Sequence, residues 1–417
     1  GSFNICFLSE ERDIINNKVM TSKRQKACRE GLFMRIGIFT DSYKPYTSGV
    51  VRSIETTTAE LRNLGHEVFI FAPSYPNYEK EEGVFRFASL PTPTYPDFAV
   101  ALPFSVNINA TVRELDLDVI HVHSPFTMGM LGWRCAKRHN LPLVFTYHTM
   151  YDQYVHYMPF ARDLSRKVVL KLSGAFCDRC DLVIVPTGVI RDIVAKNTKT
   201  KVEVIPTGID RKEFVSVDRG WLRRRYRISD QCKILLHLGR LGKEKNVAFL
   251  LQVYSEVVRK YSDTVFIIVG KGPESESLRE LAHTMGIGEK VIFTGPLSRE
   301  EVINSYAGAD LFLFASLTET QGLVLGEAKC AGLPAVAISA LGAAEMINDG
   351  EDGFLTSPDK KEFTKRVLQL LDDDELRRQM AKNALLMSEK ISSESMAKKL
   401  VRAYEATISR KRKAAVM

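Results

Sequence analysis

With 417 residues, 45% of them apolar and 26% charged, the chain exceeds what one ordinary core holds and has the composition of a water-soluble protein of two domains. No apolar run approaches the roughly 20 residues that a membrane-spanning helix needs, so a membrane role would have to be peripheral. A formal charge of +8 and a pI near 9.0 favour anionic partners, whether nucleotide diphosphates, nucleic acid or anionic lipid, without choosing among them.

Seven cysteines, odd in number and irregularly spaced, do not make a disulfide framework and fit a reducing cytoplasm. The close pair Cys177 and Cys180 is a lone C-x-x-C without the two further ligands of a zinc site. Residues 1–33 read as a leader expected to lack order: Gly1-Ser2 has the look of a cleavage scar, Asn17 to Arg29 is basic and aperiodic, and no signal-peptide pattern is present. Met34 reads as a native start.

From Met34 short apolar runs alternate with amphipathic segments, the pattern of parallel sheets covered by helices on both faces. Strands are predicted at Arg35–Phe39, Glu67–Ala72, Val119–His123, Pro142–Tyr147, Leu182–Pro186 and Val202–Pro206, with helices at Val50–Leu64, Met128–His139 and Arg162–Phe176 between them. A second series of strands runs Lys233–Leu238, Val265–Val269, Val291–Phe293, Leu311–Ala315 and Ala335–Ile338. The chain thus divides into two doubly wound Rossmann-like α/β domains, 34–207 and 208–392, with the boundary at Pro206-Thr207-Gly208. Beyond Asp359 three helices are predicted, Phe363–Leu371, Leu376–Glu389 and Glu394–Ile408, and residues 393–417 are expected to return to the N-terminal domain. Ligands of open parallel sheets collect beyond the carboxyl ends of the strands, so two such domains facing each other place a site in the cleft between them.

Two clusters follow strand ends of the second half. Gly239-Arg240-Leu241-Gly242-Lys243-Glu244-Lys245-Asn246 sets cations in a glycine-containing loop before a helix, where a diphosphate would meet Arg240, Lys245 and main-chain N–H groups; a solvated basic turn reads equally well. Ser316 to Ala328 carries two carboxylates, Glu319 and Glu327, eight positions apart, with Gly322 and Leu323 where a helix would begin. Glu319 could hold sugar hydroxyls and Glu327 a ribose diol, or Glu319 could cap the helix and Glu327 face solvent.

The combination G-R-x-x-x-x-K and, further on, S-x-x-E-T-Q-G-L-V-x-x-E-A resembles the donor site of GT-B, family-4-type retaining glycosyltransferases. The likeness runs from Met34 to about Ile408, and Gly350-Glu351-Asp352-Gly353-Phe354-Leu355 matches a loop common in that family. The resemblance implies the GT-B fold, two Rossmann-like domains across a cleft, with Arg240 and Lys245 on the donor diphosphate. It also implies Glu319 on the transferred sugar, Glu327 on the ribose, and Gln321, Gly322 and Leu323 lining the donor site. In the N-terminal half, Asp41 to Gly49 is similar to the family's loop that approaches the phosphates, with Ser48-Gly49 standing where paired glycines are frequent. His148, in Tyr147-His148-Thr149-Met150-Tyr151, matches the active-site histidine. His121 and His123 share one strand face with no third metal ligand in view, and read as structural or as cleft lining.

Asp116-Leu117-Asp118 has the D-x-D form of metal-binding glycosyltransferases, but it precedes a strand, at the end away from the cleft. Asp372-Asp373-Asp374 reads as surface charge. A dinucleotide oxidoreductase is disfavoured because G-x-G-x-x-G is missing after the first strand of either half, and Gly270-Lys271-Gly272 lacks the third glycine. Arg223-Arg224-Arg225-Tyr226-Arg227 raises a nucleic-acid-binding alternative, though no nucleic-acid module surrounds it. The expectation is a metal-independent hexosyltransferase without cofactor, using a nucleotide-sugar donor and leaving by the front face. Tyr147–Tyr154 and Thr318–Val324 look closest to bacterial diacylglycerol glucosyltransferases, which implies UDP-glucose, a lipid acceptor at an anionic surface and a place on the inner face of the cell membrane. GDP-mannose or UDP-N-acetylglucosamine donors, with phosphatidylinositol or soluble acceptors, stay open. Between Tyr157 and Lys201, Phe160, Leu164, Val168, Leu170 and Leu172 interleave with Arg162, Arg166, Lys167 and Lys171, a pattern that suits a helix docked on anionic lipid or a core helix with a solvated basic face.

Overall fold

The computed structural model describes residues 33–91, 99–102, 107–150 and 171–416. The N-terminal sheet takes β1 (Arg35–Phe39), β2 (Glu67–Pro73) and β3 (Val84–Phe87). A small antiparallel hairpin, β4 (Ser89–Pro91) with β5 (Ala99–Ala101), stands apart from it. The sheet continues with β6 (Val119–Val122), β7 (Leu143–Thr146), β8 (Leu182–Val185) and β9 (Val202–Val204). Its spatial order is β3-β2-β1-β6-β7-β8-β9, parallel throughout, with β1 between β2 and β6 and Gly37 opposite both Phe69 and Ile120. Ile36, Ile38, Phe39, Ile120 and Val122 are all inaccessible to solvent, as expected for strands covered on both faces.

The second sheet comprises β10 (Lys233–Leu238), β11 (Thr264–Val269), β12 (Val291–Gly295), β13 (Leu311–Phe314), β14 (Ala335–Ile338) and β15 (Gly353–Thr356), in the order β12-β11-β10-β13-β14-β15. The strand order reverses beside β10, as it does beside β1 in the first sheet. Loops leaving the carboxyl ends on either side of such a switch point form a crevice. The fold is therefore two doubly wound domains, as the alternating pattern indicated.

Four strands escaped the sequence reading. β3 is a four-residue edge strand interrupted by Arg86, whose guanidinium donates to the carbonyls of Lys44 and Pro73 and lies over Tyr43 and Tyr78. β15 begins within the loop Gly350–Leu355; the turn before it opens at Gly350, whose φ of +78° suits glycine, and Gly353–Thr356 then pairs with β14. The hairpin strands have three residues each, too short for periodicity to register. Of the predicted helix Arg162–Phe176, residues 171–177 are helical and the remainder falls outside the described residues.

The chain passes between the domains twice. Ile209 and Ser392 pair, with Ile209 N donating to Ile391 O and Ser393 N to Ile209 O, both at 2.9 Å. A Cβ on Gly208 would lie 2.4 Å from the Ser393 Cα, so only glycine lets the crossings approach this closely. The last helix, Ser393–Val416, lays Leu400, Ala403, Tyr404 and Ile408 into the same apolar cluster as Met34, Ile36, Ile54 and Leu61 of the first domain. Its first residue is tied there too, since Ser393 Oγ donates to the buried Glu60 carboxylate at 2.7 Å. No described helix is long and apolar enough to cross a membrane.

Candidate active site

The C-terminal wall of the cleft begins in the loop after β10. Gly242 opens a short 3-10 turn, Lys243–Lys245, which ends at Asn246 in the left-handed region and passes into the helix Val247–Lys260. Arg240 is exposed in this loop. Lys245 Nζ pairs with the carboxylate of Glu319, which comes from the loop after β13; both side chains keep 19% of their surface accessible. The two loops are also joined by Ser316 Oγ donating to Glu244 O at 3.1 Å.

The helix after the second loop, Leu323–Cys330, is capped by Gly322 at φ +83°, a conformation that favours glycine. Glu319 therefore does not cap it. Glu327, on the same helix, is not on a solvated face either: it is buried, with Oε1 accepting from Arg299 at 2.6 Å and Oε2 from the Tyr306 hydroxyl at 3.0 Å. Arg299 also donates to Glu213, which Arg52 of the first domain reaches from the other side. Burial alone would lower the Arg299 pKa, but the carboxylates of Glu327 and Glu213 hold it raised, and the guanidinium stays charged.

The N-terminal wall is built differently. Asp41, in the loop after β1, is buried and accepts from Thr127 Oγ1 at 2.5 Å and Met128 N at 3.0 Å, and also from the Ser124 hydroxyl, which locks this loop to the one after β6. Ser48 is the N-cap of the helix Gly49–Asn63, its Oγ accepting from Val51 N at 3.2 Å, so the hydroxyl serves the helix.

Past β7, His148 puts its Nε2 2.7 Å from His123 Nδ1. His123 also lies against His121, with ring centroids 4.2 Å apart and the rings tilted by 36°. The His121 ring nitrogens reach Tyr404 Oη at 2.6 Å and Thr146 Oγ1 at 2.7 Å. Burial drives all three imidazoles to the neutral form. It holds His148 at about 4 and, with His148 nearby, His121 at about 3, while His123 is depressed by burial and by its two histidine neighbours. His121 and His123 thus form a support behind His148.

The walls meet at several points. Thr320 Oγ1 donates to the His148 carbonyl at 2.7 Å, and Thr187 Oγ1 donates to the Thr320 carbonyl at 2.9 Å. The Gln321 amide pairs with both main-chain groups of Thr207 at 2.9 and 2.8 Å, so this side chain is turned to the crossing between domains instead of the cleft. Glu345 accepts from Gly188 N and Val189 N at 2.9 and 2.7 Å. Gly49 and Leu323 also face each other, since a Cβ on Gly49 would stand 3.7 Å from Leu323 Cδ1. Ser48, Gly49, His148, Lys245, Glu319, Gly322 and Leu323 thus gather at one cleft, with Arg240 on its C-terminal wall and Glu327 buried beneath.

Sequence reasoning did not find Arg299, Tyr306, Thr187, Thr320, Glu345 or His237. His237 lies buried on β10, Nδ1 3.0 Å from the Leu313 carbonyl, and burial lowers it to about 4. Only its place one residue before the end of a strand leading to the cationic loop could have drawn attention to it. Other signals resolve structurally. Arg223 donates to the carbonyls of Ser229 and Cys232, and Arg224 pairs with Asp218. Cys177 and Cys180 are free buried thiols, the first pushed by burial up to about 12. Asp373 caps the helix Asp374–Ser388, while Asp372 and Asp374 pair with Lys260 and Lys233. Among the described residues no cluster of three or more His, Cys, Asp or Glu side chains is placed to hold a metal.

Two facing doubly wound domains with polar groups gathered at their strand carboxyl ends are the GT-B arrangement of glycosyltransferases. The chain matches the family models "Glycosyltransferase Family 4" over residues 47–213 and "Glycosyl transferases group 1" over residues 218–387. It is 36% identical over 313 residues to the alpha-monoglucosyldiacylglycerol synthase of Streptococcus pneumoniae, covering 73% of this chain and 71% of that protein. The enzyme of the same name from Acholeplasma laidlawii is 31% identical over 380 residues, 88% of this chain and 95% of the relative. A GDP-mannose-dependent alpha-mannosyltransferase of Corynebacterium glutamicum is 29% identical over 82% of this chain and 81% of its own length. Among solved structures, Anabaena HepE in complex with UDP superposes with a TM-score of 0.72 at 18% identity, over 89% of this chain and all of that one. The chain belongs to glycosyltransferase family 4, with the GT-B fold.

Proposed function

We propose that this protein transfers glucose from UDP-glucose to a hydroxyl of diacylglycerol, with retention of anomeric configuration and without a metal ion. The observation that carries the reading is the Lys245–Glu319 pair standing on the C-terminal wall, one residue away from a hydrogen bond to His148 of the opposite wall. A cation and a carboxylate at one strand end suit a substrate that is anionic at one end and rich in hydroxyls at the other.

In this reading Lys245 and Arg240 bind the diphosphate, aided by the amides at the start of Gly49–Asn63 and Leu323–Cys330. Glu319, released from Lys245 as the phosphates take the cation, accepts from sugar hydroxyls. Glu327, whose oxygens each retain a lone pair beyond Arg299 and Tyr306, accepts from the ribose diol. His148, kept neutral by burial, contacts a sugar hydroxyl. The leaving diphosphate departs from the face the acceptor enters and takes the acceptor proton, its developing charge stabilised by the two cations and the helix amides. Glucose and diacylglycerol are favoured by the two synthases among the relatives, and an acceptor of that kind calls for peripheral attachment to the inner face of the membrane. Of the residues between Tyr157 and Lys201 that suit docking on anionic lipid, Phe160, Arg162, Leu164, Arg166, Lys167, Val168 and Leu170 lie outside the described residues, while Lys171 and Leu172 are helical and exposed. The mannosyltransferase relative favours a second reading, a GDP-mannose donor.

Nucleotide release decides between them. UDP-glucose, UDP-galactose, UDP-N-acetylglucosamine and GDP-mannose are each presented with diacylglycerol in anionic vesicles and with soluble glycosyl acceptors. Release of UDP from UDP-glucose that requires diacylglycerol is expected. Faster turnover with GDP-mannose, or with a soluble acceptor, would replace the reading. Cosedimentation with anionic but not neutral vesicles, weakened by salt, is expected on the same grounds.

A further inference from the structure

The residue between Glu319 and Gln321 belongs to the C-terminal domain by sequence and to both domains by its bonds. Its loop is seated on the second domain by Gly342 N donating to Glu319 O at 2.9 Å. A Cβ on Gly342 would lie 1.8 Å from Thr320 O, so the approach depends on glycine there. From this seat the Thr320 hydroxyl donates across the cleft to the His148 carbonyl at 2.7 Å, and the Thr320 carbonyl receives the Thr187 hydroxyl at 2.9 Å.

His148 is therefore held from two sides. Its ring is set by His123 of its own domain, at 2.7 Å. Its main chain has just left the sheet, where Tyr147 N still donates to Ile184 O at 2.8 Å, and its carbonyl is taken by Thr320. The tie to Glu319 runs through one peptide unit, so the separation of a sugar contact on one wall from a sugar contact on the other is fixed at Thr320. Small misplacements of reacting groups are costly in rate, and a single hydrogen bond at such a junction has leverage beyond its own strength.

We propose that Thr320 is a positioning residue that sets His148 against Glu319 when the two domains come together. This rests on the assignment of His148 and Glu319 as donor contacts. It does not make Thr320 a substrate ligand, and it places the coupling in the side-chain hydroxyl, since the main-chain bond to Thr187 survives any substitution.

Thr320→Val keeps the branched shape at a half-buried position and removes the donor; Thr320→Ser keeps the donor. In the full chain, Thr320→Val is expected to lower turnover about tenfold, the effect of one well-placed hydrogen bond, with UDP affinity by titration within about twofold of the wild type, and Thr320→Ser to recover most of the rate. Because the action passes through His148, the same change in a His148→Ala background should cost less than about twofold. Hydrogen exchange at 147–150 should quicken in Thr320→Val and not in Thr320→Ser, whatever the reaction. Equal losses in both backgrounds, a fall in UDP affinity matching the fall in turnover, or unchanged exchange at 147–150 would each overturn the proposal. A wild type that transfers from none of the donors would instead sink the functional assignment, leaving the exchange comparison to decide on the coupling.

Discussion

The two ends of the same parallel strands use acidic residues in opposite ways. At the amino ends Asp118, Asp181 and Asp310 each stand one residue before a strand, β6, β8 and β13. Each accepts a main-chain N–H at the start of the neighbouring strand, from Arg35 at 2.9 Å, Leu143 at 2.8 Å and Ile234 at 2.8 Å, and each returns its own N–H to the same residue's carbonyl at 2.8 Å. Cations close over them: Arg412 and Lys411 from the last helix on Asp118 and Asp181, and Arg223 on Asp310. At the carboxyl ends Glu319, Glu327 and Glu345 bond instead across loops or across domains. A carboxylate in this fold is thus read by which end of a strand it occupies, and the D-x-D resemblance of Asp116 and Asp118 dissolves on that ground.

Substitutions at the carboxyl ends test the contrast most severely. Glu319→Ala and Arg240→Ala are expected to lower turnover about 10²–10³-fold, the cost of losing one strong polar contact to a developing charge, with melting temperatures close to wild type because both sit in accessible loops. Near-normal turnover in both would remove the donor site from this cleft. Arg299→Ala should act on stability. It strips Glu327, whose side chain is 9% accessible, of its cation, and since Arg299 itself is partly exposed the loss should be about 2–3 kcal/mol, below that of a fully buried pair. Chemical denaturation measures it, and a shift under about 1 kcal/mol would mean that Tyr306 alone satisfies the carboxylate.

The histidines carry a smaller, pH-dependent effect. His121, His148 and His237 are held by burial at about 3, 4 and 4, against about 6.5 in the unfolded chain. Between those values the unfolded chain binds more protons, so stability is fully present above pH ~6.5 and is lost as pH falls toward 4, by up to ~1.4 kcal/mol per pH unit for each histidine. Melting at pH 7.5, 6 and 5 should show this slope, and His148→Asn should flatten it. A melting temperature that rises on acidification would contradict neutral imidazoles in the folded protein.

How much of this could be read from sequence follows the same division. Strands buried on both faces, such as Ile36–Phe39 and Ile234–Leu236, announce themselves as apolar runs, and the loop residues that follow them are placed by counting. Lys245 with Glu319 was legible because each lies in the loop that follows such a strand and matches a family pattern. The edge strand with Arg86 was not, because its charge is satisfied by carbonyls distant in sequence. Nor could sequence show that Gln321 turns to Thr207, that Ser48 caps its helix, or that Arg299 clasps Glu327. Those outcomes depend on which of several nearby partners wins in three dimensions. The repeated Asp-before-strand pattern was visible in Asp118-Val119, Asp181-Leu182 and Asp310-Leu311, but its meaning needed the neighbouring strand.

The smallest effect is expected where a metal-ligand reading would demand a large one. Asp118→Asn leaves an oxygen able to accept from Arg35 N and removes only the charge facing Arg412, at 3.5 Å and largely in solvent, so stability should change by less than about 1 kcal/mol. Burial already raises the Asp118 pKa, which makes the neutral amide still easier to accommodate. Turnover should stay within about twofold of wild type in the variant and, for the wild type, in the presence of EDTA. The matched neutralisation at the other end of the sheets, Glu319→Gln, should lower turnover at least tenfold, because there the charge faces Lys245 and the substrate. Loss of transfer in Asp118→Asn, or in EDTA with rescue by magnesium or manganese, would give the amino-end aspartates a catalytic part and undo the distinction between the two ends.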